Sequence, residues 1–136
     1  MLKDIEFKKV EDFAVAMIPR NEIIEGEPEL WDCYLFNLKE VVLKCVIINT
    51  RSYGIVDGVE QKTATFRHLI DELGPLEFVK LEAVDASLFH LNTEVWVSFL
   101  ENNHLFDKRY TFVSGSIDQS NFTTIPFLNQ KGVMIR

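Results

Sequence analysis

The segment Lys62–His68, with the sequence KTATFRH, groups three residues that could bind an anion. On an extended strand Lys62 and His68 share one face and Arg67 takes the other. Lysine and arginine hold carboxylates and phosphates through charge-assisted hydrogen bonds, so the segment predicts an anion site. The alternative is an ordinary polar strand face with a surface histidine. The sequence leaves both interpretations open.

A second charged group, Asp107-Lys108-Arg109, lies on a segment that alternates apolar and polar residues. Arg109 is expected to lie across from Trp96, and such a cation–π pair contributes about 0.5–1 kcal/mol at an exposed site. Asp107 shares a face with Arg109 and is placed to pair with it. These contacts either stabilise a hairpin or, if Trp96 is exposed on a flat face, form a binding surface. The candidate ligand-binding residues are therefore Lys62, Arg67, His68, Trp96, Asp107 and Arg109.

The sequence contains no motif that indicates catalysis, a metal or a cofactor. His68, His90 and His104 form no HxH or HExxH pattern. The glycines Gly54 and Gly58 before Lys62 have neither the spacing nor the setting of a phosphate-binding loop. We therefore predict no catalytic residue, no metal ligand and no cofactor.

Length and charge bound the class of protein. The chain has 136 residues, 47% of them hydrophobic, and we expect a single domain spanning 1–136. Its net charge of −7 argues against a nucleic-acid partner, which requires clustered Lys and Arg. No stretch has the apolar core of a signal peptide or the length of a membrane helix. We therefore predict a soluble cytoplasmic protein without membrane association.

The segment Glu94–Val113 predicts a β-hairpin, because apolar and polar residues alternate with period two on both sides of Asn102-Asn103. Asparagine tolerates positive φ, so these two residues suit the turn. Val95, Val97 and Phe99 are then expected to face the core. The expected cross-strand pairs are Phe99 with Phe106, Val97 with Lys108, Val95 with Tyr110, Trp96 with Arg109 and Ser98 with Asp107.

The rest of the chain predicts short strands separated by turns. Lys62–Arg67 is predicted to run into a short helical turn, because Phe66, Leu69, Ile70 and Leu73 follow helical spacing. In Leu76–Val84, Val79, Leu81 and Ala83 are expected on one face and Lys80 and Glu82 on the other. Turns are expected at Arg51–Gly54 and Asp57-Gly58. The other predicted strands are an edge strand at Ile5–Val10, Phe13–Ile18, Trp31–Leu38, a central strand at Val41–Ile48, Phe122–Leu128 and Gly132–Ile135.

Seven to nine short strands with at most one short helix predict an all-β fold. We expect a two-sheet antiparallel β-sandwich with Greek-key connections of the immunoglobulin or fibronectin-III kind. Cys33 and Cys45 are expected to be reduced thiols. If Trp31–Leu38 and Val41–Thr50 form a hairpin centred on Lys39, the two cysteines lie opposite each other, so their pairing stays open.

Several short motifs resemble a family of small bacterial proteins that often carry the name phenylalanyl-tRNA synthetase alpha subunit, and the resemblance covers nearly the whole chain. By itself that name implies aminoacylation or tRNA binding. Class II synthetases carry an FRxE motif, however, and Phe66-Arg67-His68-Leu69 has no Glu at its fourth position. The acidic charge also argues against tRNA. The motifs are WxxYLxN (Trp31–Asn37), YG (Tyr53-Gly54), KTxTxRH (Lys62–His68), LNxE (Leu91–Glu94), FDKRYxF (Phe106–Phe112), SI (Ser116-Ile117) and GVxI (Gly132–Ile135).

Three functions are therefore weighed. The first is a non-enzymatic module that binds a protein partner or itself, suggested by abundant aromatic residues and by expected edge strands at both chain ends. The second is a protein or enzyme that binds a small anionic ligand through the Lys62, Arg67 and His68 group with Asp107 and Arg109, if these residues converge in a concave pocket. The third is the tRNA-related function that the resemblance implies. We adopt the first as the main hypothesis.

Overall fold

The structure is a computed structural model that describes residues 10–22 and 24–136. Within these residues the chain forms ten antiparallel strands in two five-stranded sheets. The predicted edge strand at Ile5–Val10 lies, except for Val10, outside the described residues. The strands are β1 (Phe13–Pro19), β2 (Leu30–Asn37), β3 (Leu43–Val56), β4 (Val59–Lys62), β5 (Phe66–Leu73), β6 (Phe78–Asp85), β7 (Asn92–Glu101), β8 (His104–Phe112), β9 (Thr123–Ile125) and β10 (Gln130–Ile135).

Sheet one has the strand order β6-β2-β1-β10-β9, and sheet two has the order β4-β3-β7-β8 with β5 also paired to β3. β4 and β5 lie end to end along one edge of the long strand β3, separated by residues 63–65. The chain crosses between the sheets after β2, β5, β6 and β8. The predicted two-sheet antiparallel sandwich is therefore confirmed. The immunoglobulin or fibronectin-III connectivity stays a prediction.

The space between the sheets is filled at one end by aromatic rings. Phe13 of sheet one stacks on Phe99 of sheet two with ring centroids 5.3 Å apart, and Phe99 stacks on Phe106 at 5.5 Å. The buried hydroxyl of Tyr110 donates a hydrogen bond to the backbone oxygen of Phe13 at 3.0 Å. These contacts bury apolar surface and also join the two sheets through a polar bond.

The β7–β8 hairpin forms as the sequence predicts, with all five expected cross-strand pairs in register. Asn102 and Asn103 have φ values of 50° and 62°, as a tight hairpin turn requires. Val95 and Val97 are buried, whereas the Trp96 side chain faces outward.

The predicted helical turn after Arg67 is wrong, because Phe66–Leu73 pairs with β3 along its length. The helical spacing has another cause, which is an irregularity in strand β3 at Cys45, whose φ is 50°. The regular alternation of side chains is interrupted there, so Ile70 and Leu73 on the paired strand β5 both face the core although they are three positions apart. Leu69, the residue before Ile70, points to the opposite face and is 71% exposed.

Two further predictions about the strands are wrong. β3 does not stop for a turn at Arg51–Gly54 but continues to Val56, where Asp57 and Gly58 make the turn. The last strand, β10, lies between β1 and β9, so the edge near the C-terminus is β9. The predicted central position of the Val41–Ile48 segment is confirmed, since β3 has neighbours on both sides.

Cys33 and Cys45 do not face each other, because β2 belongs to sheet one and β3 to sheet two. The expected hairpin centred on Lys39 is replaced by a crossing between sheets. The Asn37 amide bonds the backbone oxygens of Val41 and Gly74 at 2.8 and 2.9 Å, which holds the chain at this corner. Both cysteines are free thiols, as predicted, with Cys33 buried and Cys45 exposed.

The helical content of the described residues is limited to two three-residue 3₁₀ turns, Ala86–Leu88 and Gln119–Asn121. No helix in that part of the chain has the length and apolar character needed to cross a membrane.

Candidate functional site

One row of side chains crosses four of the five strands on the outer face of sheet two. Arg67 on β5 pairs with Asn49 on β3, which pairs on its other side with Trp96 on β7. Trp96 in turn pairs with Arg109 on β8. Because directly paired residues of neighbouring strands point to the same face, these four side chains form a continuous band.

The next row adds a third arginine. Arg51 lies opposite Glu94, and its Nη2 is 3.4 Å from Glu94 Oε2. The Glu94 side chain is only 8% exposed, and the positive charge of the nearby Arg51 guanidinium balances the charge of its carboxylate. The guanidinium of Arg51 also lies 5.2 Å from the centre of the Tyr53 ring. We call the surface formed by Asn49, Arg51, Arg67, Glu94, Trp96 and Arg109 the arginine face.

Neutral partners hold the other two arginines in place. The Arg67 Nε donates to Asn49 Oδ1 at 3.1 Å, and the guanidinium carbon of Arg109 lies 4.2 Å from the centre of the Trp96 ring. Within residues 10–22 and 24–136, neither Arg67 nor Arg109 forms a salt bridge. Both are exposed, so their remaining N–H groups are available to an incoming acceptor.

The arginine face encloses a shallow depression of about 350 Å³, which Thr65 completes. Two exposed leucines lie outside the depression on the same strands. Leu69, two residues after Arg67 on β5, is 71% exposed, and Leu105, four residues before Arg109 on β8, is 68% exposed. Trp96 itself is 37% exposed. The surface therefore combines guanidinium groups, an indole and aliphatic side chains.

The structure brings three of the six predicted ligand-binding residues together, namely Arg67, Trp96 and Arg109. Asp107 lies in the adjacent row, where its Oδ2 accepts a hydrogen bond from Trp96 Nε1 at 3.4 Å, and it does not line the depression. The predicted pairing of Asp107 with Arg109 is not among the salt bridges of the described residues. Lys62, at the end of β4, lies opposite Tyr53 of β3 and does not line the depression.

His68 points into the sandwich rather than to the arginine face. Its Nε2 is 3.3 Å from Oε1 of Glu82, a residue of sheet one. The small-ligand hypothesis requires Lys62, Arg67, His68, Asp107 and Arg109 to converge in one pocket, and the structure does not bring these five residues together. Strand alternation separates Arg67 from its neighbour His68 by the thickness of the sheet.

Sequence reasoning missed Asn49, Arg51, Glu94 and Glu82. The first three were discoverable in principle, because Asn49 and Arg51 alternate along β3 as Glu94 and Trp96 do along β7. Arg51 was assigned to a turn, which hid this pattern. Regular alternation along β6 predicts that Glu82 faces outward. In the structure β6 has a bulge at Leu81, the extra residue between Lys80, which pairs with Tyr34, and Glu82, which pairs with Cys33. Glu82 is thereby turned inward and Ala83 outward.

In the part of the chain that the structure describes, no group of three or more His, Cys, Asp and Glu side chains is placed to hold a metal ion. No protein-family model, no curated protein and no solved structure matches the chain. The resemblance of the sequence motifs to the family of small bacterial proteins therefore stays an expectation.

Proposed function

We propose that this protein is a non-enzymatic binding module whose arginine face docks an acidic segment of a protein partner. The observation that carries the proposal is the arrangement of Arg51, Arg67 and Arg109 around one depression beside a partly exposed tryptophan. The arrangement lacks a paired nucleophile and base, so binding accounts for it better than catalysis.

The charge distribution favours an acidic partner. The chain carries a net charge of −7, yet three of its 14 lysines and arginines meet on this one face. A local cationic patch on an acidic protein steers anionic partners to that patch and repels them elsewhere. Glu94 neutralises part of the charge of Arg51, which leaves Arg67 and Arg109 as the main contacts for partner carboxylates.

The kinds of residue on the face favour a protein over a free ion. Arginine, tryptophan and tyrosine are enriched where proteins contact each other, and alanine substitution of tryptophan and arginine often causes large losses of affinity. Leu69 and Leu105 are positioned to bury apolar surface at the edges of such a contact. A small anion would use the arginines but not the leucines.

A free carboxylate or phosphate is the second candidate, and the depression itself favours it. Its volume of about 350 Å³ falls in the usual range for small-molecule sites, roughly 300–1,000 Å³. The two candidates differ in which residues they require. Leu69→Ser and Leu105→Ser weaken the docking of a protein segment but leave the binding of a free anion unchanged.

The proposal is tested by titrating the protein with an oligoglutamate peptide flanked by leucines, and separately with citrate and inorganic phosphate. We expect the peptide to bind in a salt-dependent manner, with roughly tenfold loss for Arg67→Glu and for Arg109→Glu. Lys80→Glu, a charge reversal on exposed β6 of sheet one, is the matched control and should leave affinity unchanged.

Each other outcome contradicts the proposal in a different way. Peptide binding that survives both arginine reversals would place the contact elsewhere. Citrate or phosphate binding as tight as the peptide, and insensitive to Leu69→Ser, would favour the small-anion function. Binding of tRNA at physiological salt with no binding of the peptide would favour the tRNA-related function. Concentration-dependent dimers that Arg67→Glu dissociates would make a second copy of the chain the partner.

A further inference from the structure

A second cavity, of about 400 Å³, opens between the two sheets. Its walls come from β1, β2 and β6 of sheet one and from β3, β5 and β7 of sheet two. Among the strands that the structure describes, β6 and the β4–β5 edge are outermost in their sheets on this side, and residues 63–65 interrupt the β4–β5 edge. At the rim lie Ala64, Phe66 and Leu88. The cavity is thus open where strand pairing stops.

The cavity exists because small side chains stand at core positions. Cys33, Thr50, Ser52 and Thr93 line it and are almost fully buried. At the other end of the same core, large aromatic rings fill the corresponding space. The cavity is open to solvent at its rim, and its volume lies in the usual range for small-molecule sites, roughly 300–1,000 Å³.

Glu82 gives the cavity one directed polar group. The β6 bulge turns its carboxylate inward, where Oε1 accepts a hydrogen bond from the Thr50 hydroxyl and contacts His68 Nε2 at 3.3 Å. Both partners belong to sheet two, so the carboxylate is held between the sheets. The other oxygen, Oε2, has no hydrogen bond from the described residues. Ser52 and Thr93 satisfy each other at 3.0 Å.

We propose that this cavity binds a small, mainly apolar molecule that donates a hydrogen bond from a hydroxyl or amino group to Glu82. Met17, Cys33 and Val95 supply the apolar wall. An ionised carboxylate only accepts hydrogen bonds, so a ligand with a donor group is selected over one with a carboxylate. The volume is more than twice that of an engineered apolar cavity of about 150 Å³ that binds benzene. Arg51 lines both this cavity and the depression of the arginine face. The two proposals are tested on different residues, so either can fail without the other.

The head-group preference is tested with three probes of equal chain length: 1-octanol, octylamine and octanoate. We expect octanol and octylamine to raise the unfolding temperature in proportion to the logarithm of their concentration, and octanoate to have no such effect. Glu82→Gln removes the charge but keeps the shape, so octylamine affinity should fall about tenfold. Equal effects of all three probes, or of none, would overturn the assignment.

A second measurement, the rate at which Cys33 is alkylated in the folded protein, leaves Glu82 unchanged. Cys45→Ser leaves Cys33, in the cavity wall, as the single thiol. Burial raises the pKa of that thiol, so the thiolate that reacts with a maleimide forms only when Cys33 becomes accessible to solvent, and the alkylation rate reports that access. Octanol at ten times its dissociation constant should slow the reaction of Cys33 with N-ethylmaleimide about tenfold. Cys33→Ser leaves only exposed Cys45 as the matched control, whose rate should not change. An unchanged Cys33 rate would overturn the proposal.

Discussion

The guanidinium carbon of Arg109 lies 4.2 Å from the centre of the Trp96 ring, on neighbouring strands β8 and β7. On its other side, Trp96 pairs with Asn49, which holds Arg67 through a hydrogen bond of 3.1 Å. A contact that stabilises a hairpin is therefore also the centre of the arginine face. The side chains of this hairpin contact are therefore also the centre of the binding surface that we propose.

A double-mutant cycle with Trp96→Ala and Arg109→Ala tests the contact between these two residues. We expect a coupling of about 0.5–1 kcal/mol in the free energy of unfolding, measured by urea denaturation, because the pair is exposed and screened by water. The control cycle combines Trp96→Ala with Lys131→Ala, an exposed lysine on β10 of sheet one, and should show no coupling. Zero coupling between Trp96 and Arg109 would show that their approach does not stabilise the protein.

The β7–β8 hairpin was predictable because its signals are local. Alternation placed Trp96 outward and Val97 inward, and the two asparagines located the turn, which together determine every cross-strand pair. The same reasoning predicted the contact between Trp96 and Arg109. Nothing beyond neighbouring residues in the sequence was required.

The arginine face was only partly predictable. Arg51 on β3 and Arg67 on β5 are far in sequence from the β7–β8 hairpin that carries Trp96 and Arg109. Which strand lies beside β7 depends on the order of strands in the sheet, and alternation does not encode that order. Glu82 was missed for a different reason. A single extra residue in β6, at Leu81, reverses the direction of every side chain after it, and no turn residue marks the bulge.

Tyr110→Phe tests the hydrogen bond that joins the sheets. The substitution removes the hydroxyl that donates to the Phe13 oxygen at 3.0 Å and leaves the ring in place. We expect a loss of about 1 kcal/mol in the free energy of unfolding, because a buried acceptor loses its partner. Tyr53→Phe, which alters a more exposed ring, is the control and should change stability by less than about 0.5 kcal/mol.

The same hydroxyl predicts a pH dependence. Burial raises the pKa of Tyr110, whereas an unfolded tyrosine titrates near about pH 10. Above that pH the unfolded state releases a proton that the folded state keeps, so the contribution of Tyr110 to stability decreases as pH rises. The stability difference between the wild type and Tyr110→Phe should therefore shrink between about pH 8 and pH 11. A difference that stays constant over this range would contradict the burial of the hydroxyl.

Asn37 is predicted to be a determinant of the fold rather than of binding. Its buried amide donates to the oxygens of Val41 and Gly74 and accepts from the Lys39 N–H at 3.0 Å, at the corner where the chain changes sheets. We expect Asn37→Ala to cost about 2–3 kcal/mol, because several buried polar groups lose their partner at once.

Asn121→Ala provides the comparison for that loss. Its exposed amide also donates to a backbone oxygen, that of Ser116, at 2.8 Å, but water can replace it. We expect a change below about 0.5 kcal/mol in the same urea titration. If the two substitutions cost the same, burial at the corner is not what makes Asn37 important.

The most direct measurement of the central claim is a map of backbone and indole NMR shifts during titration with the leucine-flanked oligoglutamate peptide. We expect the largest shifts at Asn49, Arg67, Trp96 and Arg109, including the Trp96 indole N–H, while the signal of the buried Trp31 indole in sheet one stays in place. Shifts concentrated on sheet one, or an unchanged Trp96 indole at saturation, would contradict the assignment of the arginine face as the binding surface.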